Sequence, residues 1–168
     1  TAYRRAHQDW PARVAAEARF LANLKPDLVL TNVSYLPLAG AAAAGIPSCS
    51  LCSLNWADLF AHYFGDQPWG TAIHRDMLAA YRSAQAFIRT TPGMAMDALD
   101  NVQSVGPIAA LGTRHDLGLN GAQTILVAMG GITHRLPVDN WPCLPGVRWL
   151  LPAEWQCQRP DAIAAESF

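Results

Sequence analysis

Two short apolar runs, D-L-V-L-T-N at residues 27–32 and S-C-S-L-C-S at residues 48–53, bracket an alanine-rich stretch at residues 36–44. The runs have strand length, and the stretch between them is strong helix former that stops at Gly45, a residue suited to the position just past a helix end. Strand, helix and strand in such close succession form a βαβ unit, whose crossover is parallel and right-handed. This pattern constrains the chain more than any other, because parallel strands need cover on their faces and alternate with helices along the sequence.

The same rhythm continues on both sides. Residues 10–24, W-P-A-R-V-A-A-E-A-R-F-L-A-N-L, place Val14, Ala18, Leu21 and Leu24 at helical spacing, with Pro11 in a first turn. Helical sequence follows N-W-A-D to about Tyr63, and a further helix is expected over residues 71–84, with Ile73, Met77, Ala80 and Ala84 on one face. A-F-I-R-T at 86–90, Q-S-V-G-P-I at 103–108, T-I-L-V-A-M at 124–129 and V-R-W-L-L at 147–151 read as strands. H-D-L-G-L at 115–119 reads as a helix end with Gly118 near its cap, and the tail R-P-D-A-I-A-A-E-S-F as the start of another helix. The class is therefore α/β, with Rossmann-like parallel sheets and flanking helices. The break at Gly106-Pro107 divides residues 1–107 from residues 108–168.

Composition narrows the function classes. A hydrophobic fraction of 51% against 15% charged residues describes a chain with a sizeable core. The formal net charge of -1 gives no electrostatic reason to expect nucleic acid or an anionic membrane as partner. No apolar run approaches the roughly 18 residues of a spanning helix, so no integral membrane segment is expected. Cys49 and Cys52 sit three apart on an expected strand, where they point to opposite faces and cannot close on one metal. Cys143 and Cys157 supply no second close pair. The four cysteines read as free thiols of a cytoplasmic protein, with no metal and no cofactor expected. The absence of H-x-x-x-H, D-x-D and G-x-S-x-G patterns disfavours zinc hydrolases, metal-dependent transferases and serine hydrolases.

The candidate site residues lie just past strand ends. In I-L-V-A-M-G-G-I, residues 125–132, Gly130 and Gly131 can bring backbone N–H groups close to a diphosphate, or simply turn the chain at a strand end. Arg135, beside His134, can pair with a phosphate or point to solvent. In N-W-A-D, Asn55 and Asp58 can hydrogen-bond a sugar and Trp56 can stack on it. Equally, Asn55 and Asp58 can cap the helix that follows while Trp56 packs in the core. Asn32 and Ser34, past the preceding strand, have the same two readings. His62 and His74 have the chemistry of a general base but lack a carboxylate at a telling spacing, so both read as surface histidines.

The ordered series K-P-D-L-V-L-T-N, A-G-I-P-S, N-W-A-D, V-G-P-I, L-G-L and I-L-V-A-M-G-G resembles the middle of a GT-B glycosyltransferase, from about Lys25 to Asp161. It is most like the branch containing the N-acetylglucosaminyltransferase that forms lipid II, and like the transferase-like region of plant arabinokinase. The resemblance implies parts of two GT-B domains. Residues 1–107 would be the C-terminal part of an acceptor-side Rossmann domain, and residues 108–168 the start of a nucleotide-sugar-binding one. It implies transfer of a sugar from a nucleotide diphosphate donor to an acceptor, without an obligatory metal. Gly130, Gly131 and Arg135 would then face the donor phosphates, and Asn32, Ser34, Asn55, Trp56 and Asp58 the acceptor. W-L-L-P at 149–152 would offer an apolar shelf to the nucleobase.

Such enzymes carry their catalytic base in a loop that would precede Thr1, and a sugar-holding segment that would follow Phe168. The chain therefore reads as an internal fragment of a longer enzyme, inactive by itself. The alternative is a non-catalytic module that binds a sugar nucleotide or regulates. As a fragment, it should leave the apolar faces of strands 124–129 and 147–151 partly uncovered. A homo-oligomer would then cover them, or the two halves would pack unusually.

Overall fold

The computed structural model describes residues 2–113, 121–130 and 134–165. The chain divides into two compact units, Thr1–Ala110 and Leu111–Phe168, and each is built on parallel strands.

In the first unit a short helix, α1 (Ala2–His7), leads into α2 (Trp10–Leu24), with Pro11 in the first turn of α2. The chain then alternates: β1 (Val29–Thr31), α3 (Leu36–Ala44), β2 (Ser48–Cys52), α4 (Trp56–Phe64), α5 (Gly70–Arg82), β3 (Ala86–Thr90) and β4 (Val102–Val105). Gly45 ends α3 at φ +70°, where a side chain would be strained. There the Ile46 N–H donates to Ala41 O and the Gly45 N–H to Ala42 O, so the last carbonyls of α3 are satisfied. The expected βαβ unit is present, with β1 and β2 parallel and Leu30 beside Cys49.

All four strands are parallel and lie side by side in chain order, β1-β2-β3-β4. Right-handed crossovers that all step the same way place their helices on one face of a sheet, and the core follows that rule. Phe87 and, partly buried, Cys52 and Val102 point to the face that meets Leu38 of α3, Phe60 of α4, and Ile73, Met77 and Tyr81 of α5. The opposite face carries Cys49, Leu51, Ile88 and Val105, all half-buried, and Leu30, which is 61% exposed. None of these joins the core cluster. Cys49 and Cys52 thus lie on opposite faces of β2. The expected apolar face of α5 is present, since Ile73, Met77 and Ala80 are buried; Ala84, also buried, lies just past the helix end.

The second unit is a three-stranded parallel sheet: β5 (Gln123–Leu126), β6 (Val147–Pro152) and β7 (Ala162–Ala165), in the order β5-β6-β7. The tail overturns an expectation. A-I-A-A is expected within the opening of a helix, but it pairs along β6, with Leu150 beside Ile163. Alanine's helical preference amounts to less than about 1 kcal/mol per residue, so a row of ladder hydrogen bonds outweighs it. The strand expected at 124–129 stops at Leu126, although Val127 N–H still donates to Leu150 O. H-D-L-G-L lies outside the described residues.

A small core of Val138, Leu151 and Trp155, with Trp141 and Trp149 packed against it, covers one side of this sheet. Coverage of the two strands expected to be partly uncovered is uneven. Ile125 and Leu126 are 36% and 52% exposed, whereas Leu150 and Leu151 are buried. Arg159 ties the connections together. Its guanidinium donates to Val138 O, Trp141 O and Pro142 O and forms a two-pronged pair with Asp161, at 2.9 Å and 2.6 Å.

Candidate functional site

Parallel α/β sheets gather ligands outside the C-terminal ends of their strands. In the first unit those ends deliver two loops, Asn32–Val33–Ser34 after β1 and Ser53–Leu54–Asn55 after β2. Tyr81 holds the two together. It is fully buried, its hydroxyl donates to Val33 O at 2.6 Å, and it accepts from the Trp56 N–H at 3.1 Å. Burial also pushes its phenol pKa well up, so the hydroxyl keeps the proton it donates.

Asn55 and Asp58 meet one of their two readings directly. Asn55 Oδ1 accepts from the Asp58 N–H at 2.8 Å, and Asn55 Nδ2 donates to Asp58 Oδ2 at 2.8 Å. This reciprocal arrangement caps α4. Asn55 is fully buried, so its side chain shapes the loop from within. Asn32 is exposed, and its carbonyl accepts from Ser50 Oγ at 2.8 Å. Ser34 and Trp56 come together: both line a cavity of about 240 Å³ with Tyr3, Trp10, Arg13 and Tyr35. Trp56 is 38% exposed, so its indole is not a core residue.

Behind Tyr35 stands a group that motif reading passed over. His7, at the end of α1, has a side chain only 3% exposed and stacks on Trp10 at 4.6 Å. His7 Nε2 lies 3.0 Å from Tyr35 Oη, and His7 Nδ1 lies 3.8 Å from Asp76 Oδ2 of α5. The second distance suits an ion pair but is too long for a hydrogen bond. Burial lowers the His7 pKa below the ordinary 6.5; Asp76 opposes this and Arg13 adds to it. Burial likewise raises Tyr35 to about 12, with Tyr3 adding and Arg13 opposing. No spacing rule could have found this trio, since His7 and Tyr35 are 28 residues apart and belong to different elements. The one available signal was the place of Tyr35, next to Ser34 at a strand exit.

A larger depression of about 450 Å³ is lined by Arg4, Arg5, His7, Gln8, Trp69 and Ile73. None of its lining residues belongs to a strand-end loop or to the candidate donor and acceptor residues, so the smaller pocket is the better candidate. His62 is exposed, as expected. His74 corrects an expectation: it is half-buried, and its Nε2 is buried without a hydrogen-bond partner among the described residues.

On the donor side, Gly130 is exposed at φ +59° beyond β5, while Gly131 lies outside the described residues. The Arg135 guanidinium pairs with Asp139, and its Nε donates to Trp155 O at 3.1 Å. That pairing, with Cys157 Sγ beside the carboxylate, holds Asp139 below the ordinary carboxylate pKa. W-L-L-P forms most of β6, where Leu150 and Leu151 are buried and Trp149 packs against Trp141 at 4.9 Å. Among the described residues no cluster of His, Cys, Asp or Glu is placed to hold a metal ion, and no helix is long and apolar enough to cross a membrane. No protein-family model matches the chain, and no curated protein matches it.

Proposed function

We propose that this chain carries parts of a GT-B glycosyltransferase that moves a sugar from a nucleotide diphosphate donor to a hydroxyl acceptor. Thr1–Ala110 is the acceptor side in this reading and Leu111–Phe168 the donor side. One observation carries it. Ser34 and Trp56, singled out for the acceptor from sequence, sit on neighbouring strand exits and share a pocket with Trp10, Tyr35 and Arg13. Flat aromatic walls with a few convergent donors suit the apolar face and hydroxyl rim of a sugar ring. Gly130, with Gly131, is assigned to the donor diphosphate, where backbone N–H groups would stabilise charge on the leaving group. Asn32 and Arg135 serve at the margins, and Asn55 and Asp58 act by fixing the loop that presents Trp56. The four free cysteines fit a reducing cytoplasm.

The test is calorimetric titration of the protein with nucleotide diphosphate sugars spanning several bases and sugars. The expected result is saturable binding of at least one of them, weakened by Gly130→Val. No binding across the whole panel sinks the reading. Donor binding by a full-length protein that transfers to no sugar or polyol acceptor identifies a non-catalytic sugar-nucleotide module instead.

A further inference from the structure

The cavity of about 450 Å³ between α1 and α5 shares no lining residue with the Ser34–Trp56 pocket, and its lining carries charge of one sign. Arg4, His7 and Gln8 recur at helical spacing, so one side of α1 and of the turn after it forms one wall. Arg5 adds a second guanidinium. Trp69 and Ile73, four residues apart at the start of α5, form the other wall. No carboxylate is among these residues. Asp76 of α5 stands outside the lining, 3.8 Å from His7 Nδ1 and 3.6 Å from Arg75.

Basic residues in a last helical turn complement the helix dipole, and that alone would account for Arg4 and Arg5. It does not account for His7, whose side chain is 3% exposed. His7 Nε2 is engaged by the Tyr35 hydroxyl at 3.0 Å. Nδ1 is buried and has no hydrogen-bond partner among the described residues, and Asp76 at 3.8 Å is too distant to be one. Native structures leave few buried polar atoms in this state. With the Tyr35 O–H donating to Nε2, the ring proton sits on Nδ1, which is then a donor. That nitrogen is on the α5 side of the ring, since its nearest acid is on α5, and the cavity lies between the same two helices. An oxyanion seated there supplies the acceptor that the protein itself does not.

The rest of the lining describes the remainder of the ligand. Guanidiniums match the geometry of phosphate oxygens. Half-buried Trp69 and buried Ile73 offer an apolar surface, and the Arg4 guanidinium lies over the Trp69 ring, 5.6 Å from its centroid. The volume is that of a small-molecule site rather than of a macromolecular surface.

We propose that this cavity binds a small phosphate monoester with an apolar or aromatic body. The phosphate sits between Arg4 and Arg5 and takes the His7 Nδ1–H, while the body rests on Trp69 and Ile73. The site is separate from the sugar pocket, and its occupancy does not depend on glycosyl transfer.

The test is titration of the full chain with phenyl phosphate, methyl phosphate and phenol at low ionic strength, where exposed guanidiniums are least screened. Proton–nitrogen spectra of the arginine Nε–H, tryptophan indole and histidine ring signals read the binding. Phenyl phosphate should move the Arg5, Trp69 and His7 signals along one saturable curve. Methyl phosphate should bind about 5-fold more weakly, for want of apolar contact, and phenol should leave the signals in place. Arg5→Gln, at an exposed position, should weaken phenyl phosphate about 10-fold. His7→Phe, which keeps a ring against Trp10, should weaken it by a similar factor, and amide spectra that overlay the native chain establish that it folds. No saturation at roughly millimolar phenyl phosphate overturns the site. Unchanged affinity in Arg5→Gln does so too, whether or not His7→Phe folds. Phenol that binds as tightly as its phosphate ester overturns phosphate recognition. Binding to phosphatidic acid vesicles without response to the soluble esters assigns the arginines to a lipid surface and overturns a small-molecule site.

Discussion

Thr1–Ala110 and Leu111–Phe168 both start from parallel strands, yet they are held by different forces. In the first unit, α3, α4 and α5 lay a continuous apolar cluster, Leu38 through Leu99, over one face of the sheet. In the second, the described residues contain no α-helix, and the buried cluster is only Val138, Leu151 and Trp155. Arg159 does there what helices do elsewhere. It gathers three carbonyls and the Asp161 carboxylate and so fixes the connections on either side of β6. A small unit buries too little apolar surface to hold its loops by packing alone, and charge-assisted hydrogen bonds supply the shortfall. The lesson is that the same strand pattern can rest on an apolar core or on a polar tie.

The comparison can be broken most forcefully at Phe87, which is fully buried. Phe87→Ala should cost the first unit about 3–5 kcal/mol. In amide hydrogen exchange, protection should fall across β1 to β4 and persist in β5 to β7. Equal loss in both sheets would mean that the two cores are not separate. Arg159→Leu is the mirror experiment. It removes the carbonyl ties and leaves Asp161 without its partner, so the exchange loss should appear in β5 to β7 and spare the first unit.

Next in size, Tyr81→Phe removes one hydroxyl that bonds Val33 O and the Trp56 N–H. A loss of about 1–2 kcal/mol in urea unfolding is expected, with amide shifts concentrated at Ser34 and Trp56. Shifts spread evenly over the unit would deny Tyr81 its role in placing the pocket. Gly130→Ala should be milder, about 1 kcal/mol, from placing a side chain at positive φ. A thermal melt that does not move would mean that the chain relaxes φ there.

The smallest effect is a pH slope. His7 binds its proton less readily when folded than when unfolded. Its contribution to stability is therefore complete above the ordinary value of 6.5 and declines as pH falls below it. Urea midpoints measured on both sides of that value should show the slope in the first unit, and His7→Gln should flatten it. A slope that survives in His7→Gln belongs to another group.

Much of the fold was legible in local sequence. The βαβ unit, the Gly45 stop and the buried stripe Ile73, Met77, Ala80 and Ala84 all follow from periodicity and caps, which depend on neighbours three or four residues away. Asn55 and Asp58 were legible as a cap for the same reason. The tail was not, because A-I-A-A is indifferent by itself and β6 decides its state. Nor was the half-buried place of His74 on α5. The pocket was half legible: Ser34 and Trp56 stand at strand exits, but Trp10 and Arg13 reach it from α2, which precedes every strand of the sheet.

What the sequence determined by itself is the alternation of parallel strands and helices, since each element's period and ends are written in adjacent residues. Only the tertiary structure decided that His7, Tyr35 and Asp76 meet, and that Arg159 ties together the connections on either side of β6. Those contacts join residues far apart along the chain, and they exist only once packing has brought separate elements within a few ångströms of one another.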